Sequence, residues 1–117
     1  MTTTVQPHGV IADHVSAVNA FDTDAIVATF ADDALVNDNH REFWGQAEIR
    51  DWVAREIVGD RVTIEPLETI EHHGITIVRG RYDGDYDKTG LPEDLVMSNY
   101  FTVADDRITS MFVIRNR

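Results

Sequence analysis

Three polar side chains stand where the pattern of this sequence calls for apolar ones, and their types suit proton transfer. Asp38 closes the apolar run "ALVND" and alternates with Ala34 and Val36, so it shares their inward face. His14 lies on a helical stripe with Ile11, Val15, Val18 and Phe21, spaced for one face of a 3.6-residue period. Asn99 alternates with Leu95, Met97, Phe101 and Val103 in "LVMSNYFTV". A carboxylate moves a proton, while an imidazole or an amide holds an oxygen on which charge develops. His40 follows Asp38 by two residues, and Phe43 and Trp44 come just after, placed to keep water off the carboxylate. Each residue also has a plainer role open to it. Asp38 could cap a turn over "NHRE", His14 could be a satisfied core histidine, and Asn99 could bond to neighbouring backbone or sit at a bulge.

The elements that must position these residues change period halfway along the chain. Pro7 to Phe21 reads as a helix, and residues 1–6 as a loose tail. Asp22 or Thr23 caps a second helix, "DAIVATFA", in which Ile26, Val27 and Phe30 share a face. Gly45 precedes a third, "QAEIRDWVAREIV", with Ile49, Trp52, Val53 and Ile57 inward and Gly59 as its C′ residue. After Gly59 the period becomes two. "RVTIEPLETIEHH" is a strand with an edge or bulge at Pro66, "HHG" a turn, and "ITIVRGRYDGDY" the next strand. "DGDYDKTGLPED" is an acidic loop suited to act as a lid, and "LVMSNYFTVA" and "RITSMFVIR" form a hairpin about Asp105 and Asp106. Helices first and long antiparallel strands after them predict an α+β fold, a curved sheet wrapped over three helices as a cone-shaped barrel. The mouth of such a cone is a natural pocket. Val18, Tyr82, Met97, Phe101, Phe112 and Arg115 are expected to line it with His40, Phe43 and Trp44; Arg115 either closes it against Asp38 or faces solvent.

Composition narrows the function. The 117 residues suit one domain over 1–117. A net charge of −11 repels phosphate backbones, which argues against nucleic acid as a partner. No apolar run reaches the length of a membrane span, and "MTTTVQPHG" lacks the features of an export signal, so the expected location is the cytoplasm. The absence of cysteine excludes thiol nucleophiles, disulfides and cysteine-type zinc sites. Asp83, Asp85 and Asp87 begin like a calcium loop, but Lys88 stands where that loop requires glycine, and Asp38 with His40 makes only half of a metal site. No metal is expected. Arg79 and Arg81, alternating with Asp83, read as surface ion pairs.

"VNAFDTDAIVATFADDALVND" followed by "WGQAEIRDWV" resembles the SnoaL-like and ketosteroid-isomerase-like branch of the nuclear transport factor 2-like superfamily. The likeness covers Val10 to about Ile57 and continues more loosely through "DLVMSNYFTVADDRITSM". It implies that Asp38 stands where the isomerases keep a general base. His14, five residues before Asn19, stands where they keep an oxyanion-hole tyrosine, and Asn99 where they keep a protonated aspartic acid. Only the base is of the same residue type. The exchanged donors leave steroid isomerisation in doubt, and a His–Asp pair resembles what dehydratase and cyclase members use.

The expected function is acid–base chemistry on a small hydrophobic carbonyl compound, of isomerase, cyclase or dehydratase type, with Asp38, His14 and Asn99 as catalytic residues and no cofactor. The alternatives are a non-catalytic binder and an association domain whose pocket is filled by Met97, Phe101, Met111 and Phe112. The resemblance also implies a homodimer through the sheet, with Val96 and Val113 on the outer face.

Overall fold

The structure, a computed structural model, describes residues 2–115; Met1, Asn116 and Arg117 lie outside the described residues. Its elements are β1 (Thr2–Thr4), α1 (Gly9–Asn19), α2 (Thr23–Ala28), β2 (Phe30–Asp38), β3 (Arg41–Trp44), α3 (Gly45–Trp52), β4 (Thr63–His72), β5 (Ile75–Asp83), β6 (Leu95–Ala104) and β7 (Arg107–Arg115). The strands form one curved sheet in the order β1-β4-β5-β6-β7-β2-β3. Among the described strands, only β2 and β7 run parallel. The fold is α+β as expected, with the sheet left open between β1 and β3.

Local chemistry accounts for most boundaries. Asp22 caps α2 by accepting from the Ala25 amide at 3.1 Å. That helix ends at Ala28, earlier than its apolar spacing suggests, because Phe30 is taken into β2 beside Ile108. Phe30 is fully buried either way, so the helical and strand patterns compete and the sheet prevails. α3 continues over Val53–Val58 as a wider helical stretch with i→i+5 bonding. Gly59 has ordinary right-handed dihedrals; the left-handed residue after this helix is Arg61, at φ 51°. What glycine supplies at 59 is room, because a Cβ there would collide with the Arg55 carbonyl.

Tight turns fix the sheet register. Asn39 and His40 both have positive φ and join β2 to β3 in a two-residue turn. His73 with Gly74, and Asp105 with Asp106, do the same for β4–β5 and β6–β7. The bulge foreseen at Pro66 lies between Pro66 and Glu68.

Three expectations are corrected. The N-terminal tail is not loose: Thr2–Thr4 pair with Glu71–Thr69, and the Thr69 hydroxyl donates to the Val5 carbonyl at 3.1 Å. The threonines occupy the open amide row of β4. Val113 is buried, and Phe112 takes the outer face in its place. Likewise Val103, close to the Asp105–Asp106 turn at the end of β6, is 41% exposed although it alternates with Leu95 and Phe101; the register shift beside it adds its extra residue, Thr109, to β7.

Asn19 locks the end of α1 to β4. Its Nδ2 donates to the Ile64 carbonyl at 2.9 Å, and its Oδ1 accepts from the Ile64 amide at 2.8 Å. Replacing Asn19 by Ala leaves both Ile64 groups without that partner. A stability loss of about 1–3 kcal/mol is expected, read by urea denaturation. A loss below measurement error would show that the clamp is dispensable.

Candidate functional site

A cavity of about 570 Å³ lies between the sheet and the helices. α1 contributes His14 and Val18, α2 contributes Ile26, and α3 with its extension contributes Trp52, Glu56 and Ile57. Strand residues Ile64, Tyr82, Leu95, Met97, Met111 and Val113 form the opposing wall. Asp38, Asn39, His40, Arg41, Asp60 and Arg115 add polar groups, several of them exposed. The acidic loop does act as part of the wall, through Tyr86 and Leu91. The cavity is therefore not filled by the chain's own methionines; Met97 and Met111 line it instead.

Asp38 owes its place to the β2–β3 turn. The turn sets Arg41 directly across from it, and the Arg41 guanidinium donates to Asp38 Oδ2 at 2.9 Å. Trp52 Nε1 donates to the same oxygen at 3.2 Å. Oδ1 has no donor among the described residues, so one carboxylate oxygen is held and the other is free to accept. Arg41 is in turn gripped by both oxygens of Glu56, at 2.8 and 2.7 Å. Those bonds, chiefly, keep its guanidinium firmly charged.

His14 is 2% exposed, and its ring lies edge-on to Phe30 and Phe101. Its Nδ1 is 3.1 Å from the Thr29 hydroxyl. Burial lowers its pKa to about 4, so the ring is neutral near pH 7. The lowered value also has a consequence for stability. An unfolded His14 takes up a proton near pH 6.5, and the folded one only near pH 4. Stability is therefore full above pH 6.5 and falls as pH drops to about 4, by on the order of 3 kcal/mol. Comparing denaturation of the wild type and His14→Gln at pH 7 and pH 5 tests this. Asp38, Glu56 and Asp60, which also line the cavity, are present in both proteins and cancel in the difference. The wild type should lose more stability than the variant; equal losses would refute the assignment.

Asn99 is buried but does not line the cavity. Its Nδ2 donates to the Val78 carbonyl at 3.2 Å, which turns Oδ1 to accept from the Tyr82 hydroxyl at 2.6 Å. Asn99 thus positions Tyr82, and Tyr82 is the group that meets the cavity. Burial raises the Tyr82 pKa, so its phenol stays protonated.

The remaining candidate residues divide. Val18, His40, Tyr82, Met97 and Arg115 line the cavity with Asp38 and His14. Arg115 has no carboxylate partner among the described residues. Phe43, Trp44, Phe101 and Phe112 do not line it. Phe43 stacks on Trp52 at 5.7 Å, Trp44 is 56% exposed, and Phe101 packs behind His14. Phe112 alternates with the inward Met111 and Val113 and so points outward. Arg81 binds Glu65 and Asp94, and Arg79 binds Glu68, at the surface as expected. Trp52, Arg41, Glu56 and Thr29 are the site residues that sequence reasoning missed. The Asn39–His40 turn was the available signal for Arg41, because a two-residue hairpin turn pairs the residues flanking it.

Comparison with known proteins agrees with this architecture. No curated protein sequence matches the chain. A structure from Sinorhizobium meliloti, provisionally named a polyketide cyclase, superposes with a TM-score of 0.79 at 26% identity, over 89% of this chain and 92% of that one. A protein of ketosteroid isomerase-like fold from Catenulispora acidiphila, solved with trimethylamine, gives 0.78 at 18% identity over 92% and 85%. The epoxide hydrolase/cyclase-like enzyme SalBIII, studied for pyran ring formation in salinomycin, gives 0.78 at 23% over 92% and 88%. The family model described as the SnoaL-like domain matches residues 11–111, which span α1 to β7 and both walls of the cavity. The chain belongs to the SnoaL-like domain family.

Proposed function

We propose that the cavity is the active site of a small enzyme that moves protons on a hydrophobic carbonyl compound, in a reaction of isomerase, cyclase or dehydratase type. The observation that carries this reading is Asp38. It is a carboxylate where the polar side of the cavity meets the apolar residues of the strands and helices, held through Oδ2 by Arg41 and Trp52 with Oδ1 left to accept. A carboxylate held in this way keeps its orientation while it takes a proton from carbon and returns it. One neighbour of this fold is provisionally named a polyketide cyclase and another was studied for its role in pyran ring formation in salinomycin, which supports the reading by analogy. The outer sheet face, with Phe112 exposed, suits a second copy of the chain.

A thermal-shift screen of flat phenols, enones and polyketide-like aromatics tests whether the cavity takes such compounds. A ligand at about 100 times its dissociation constant adds about 2.7 kcal/mol, which raises the melting temperature by several degrees. Stabilisation that disappears when Met97 and Leu95 are replaced by Trp to fill the cavity places the ligand inside it. No stabilisation across the panel would argue against a small-molecule site.

A further inference from the structure

We infer that His14 presents a fixed hydrogen-bond acceptor to the cavity, set by Thr29, and that the cavity therefore selects ligands carrying a hydroxyl or enol group at that end. The inference rests on reading the cavity as a ligand site and deepens that reading.

Thr29 stands at the C-terminus of α2. Thr29 Oγ1 lies 2.6 Å from the Ile26 carbonyl oxygen. Two oxygens that close need a hydrogen between them, and a carbonyl has none, so the threonine hydroxyl donates. Its oxygen is then an acceptor towards His14, 3.1 Å away. The proton of a neutral imidazole must therefore sit on Nδ1, and Nε2 must carry a lone pair.

Nε2 has no hydrogen-bond partner among the described residues. Yet none of the described residues has a side-chain nitrogen or oxygen sealed from solvent without a partner. Nε2 consequently opens on the cavity that His14 lines. Phe30 and Phe101, edge-on at 5.4 and 5.7 Å, hold the ring in that orientation. A buried acceptor that meets an apolar ligand goes unsatisfied, whereas a ligand hydroxyl satisfies it. A site built this way discriminates strongly against an analogue that lacks the donor. Thr29 touches no ligand in this scheme; it is a positioning residue that acts through His14.

The test has two independent readouts. In protein labelled with ¹⁵N histidine, long-range ¹H–¹⁵N correlation reports the tautomer of His14, assigned by its loss in His14→Gln. The expected result is Nδ1–H in the wild type and in Thr29→Ser, and loss of that fixed tautomer in Thr29→Val. The second readout is binding of 1-naphthol against 1-methoxynaphthalene. The wild type and Thr29→Ser should prefer the hydroxyl compound by about tenfold or more, and Thr29→Val should lose most of the preference. Should Thr29→Val not fold, the wild-type tautomer and the ligand pair still decide the matter. An Nε2–H tautomer in the wild type overturns the inference. Equal affinity for two compounds that both bind overturns it as well. If the tautomer is as stated and neither compound binds, the cavity reading has failed and the ligand selectivity falls with it.

Discussion

Asp38→Asn should lower the rate of proton abstraction by about 10²–10⁴-fold while leaving the fold intact. The substitution keeps the shape of the side chain. The amide oxygen still accepts from Arg41 and Trp52 in the place of Oδ2, so the mouth of the cavity keeps its connections. What is lost is the free basic oxygen, now an amide nitrogen that cannot take a proton. The assay needs no knowledge of the product. A ketone or enone found to bind is incubated in heavy water, and incorporation of deuterium next to its carbonyl is followed by mass spectrometry. The wild type should exchange and the variant should not, with melting temperatures that differ by only a few degrees. Exchange within about tenfold of wild type would remove Asp38 from the role of base. Binding without exchange in the wild type would move the weight to a non-catalytic carrier.

The largest effect on stability is expected at Trp52. Its ring is 2% exposed, stacks on Phe43 at 5.7 Å, and bonds to Asp38 through Nε1. Truncation to Ala removes a large buried surface and leaves a void beside the cavity, at a cost of about 3–5 kcal/mol. For a domain of this size that is a drop of roughly 12–20 °C in melting temperature. Trp52→Phe separates the two contributions. It retains most of the packing and removes only the donor to Asp38, which costs about 1–3 kcal/mol. If Trp52→Ala and Trp52→Phe destabilise equally, packing against Phe43 is not what Trp52 supplies. Calorimetry on the three proteins decides this, and deuterium exchange on Trp52→Phe shows whether the Nε1 bond also orients the base.

The two predictions meet at one residue pair, and they mark how far the sequence could be read. Asp38 at the end of an alternating strand, and His14 on a helical stripe, were visible because period alone assigns a face. The same logic placed Val18, Met97 and Tyr82 inward, and all three line the cavity. It recovered the order of the three helices and the four long C-terminal strands, the bulge after Pro66 and the turn at Asp105–Asp106, each signalled by local pattern or backbone preference, but missed β1. Where two periods overlapped, as at Phe30, the pattern could not choose between helix and strand. Where a strand runs out, as at Val103 beside the Asp105–Asp106 turn, alternation predicted a burial that the end of the sheet does not provide.

Contacts between elements distant in the chain were not legible at all. Nothing local shows that Trp52 turns its indole N–H towards Asp38, or that Glu56 grips Arg41 across 15 residues. Nor does period reveal that Asn99 faces Tyr82 and Val78 and not the cavity, since a face names a direction but no partner. The sequence by itself determined the class of fold and that His14 and Asn99 go inside, because local periodicity and turn chemistry are short-range properties. The tertiary structure decided which of those residues meet, which nitrogen of His14 carries the proton and which oxygen of Asp38 is free. Those are set by hydrogen bonds whose two ends come from different elements, and their geometry exists only once the sheet has closed over the helices.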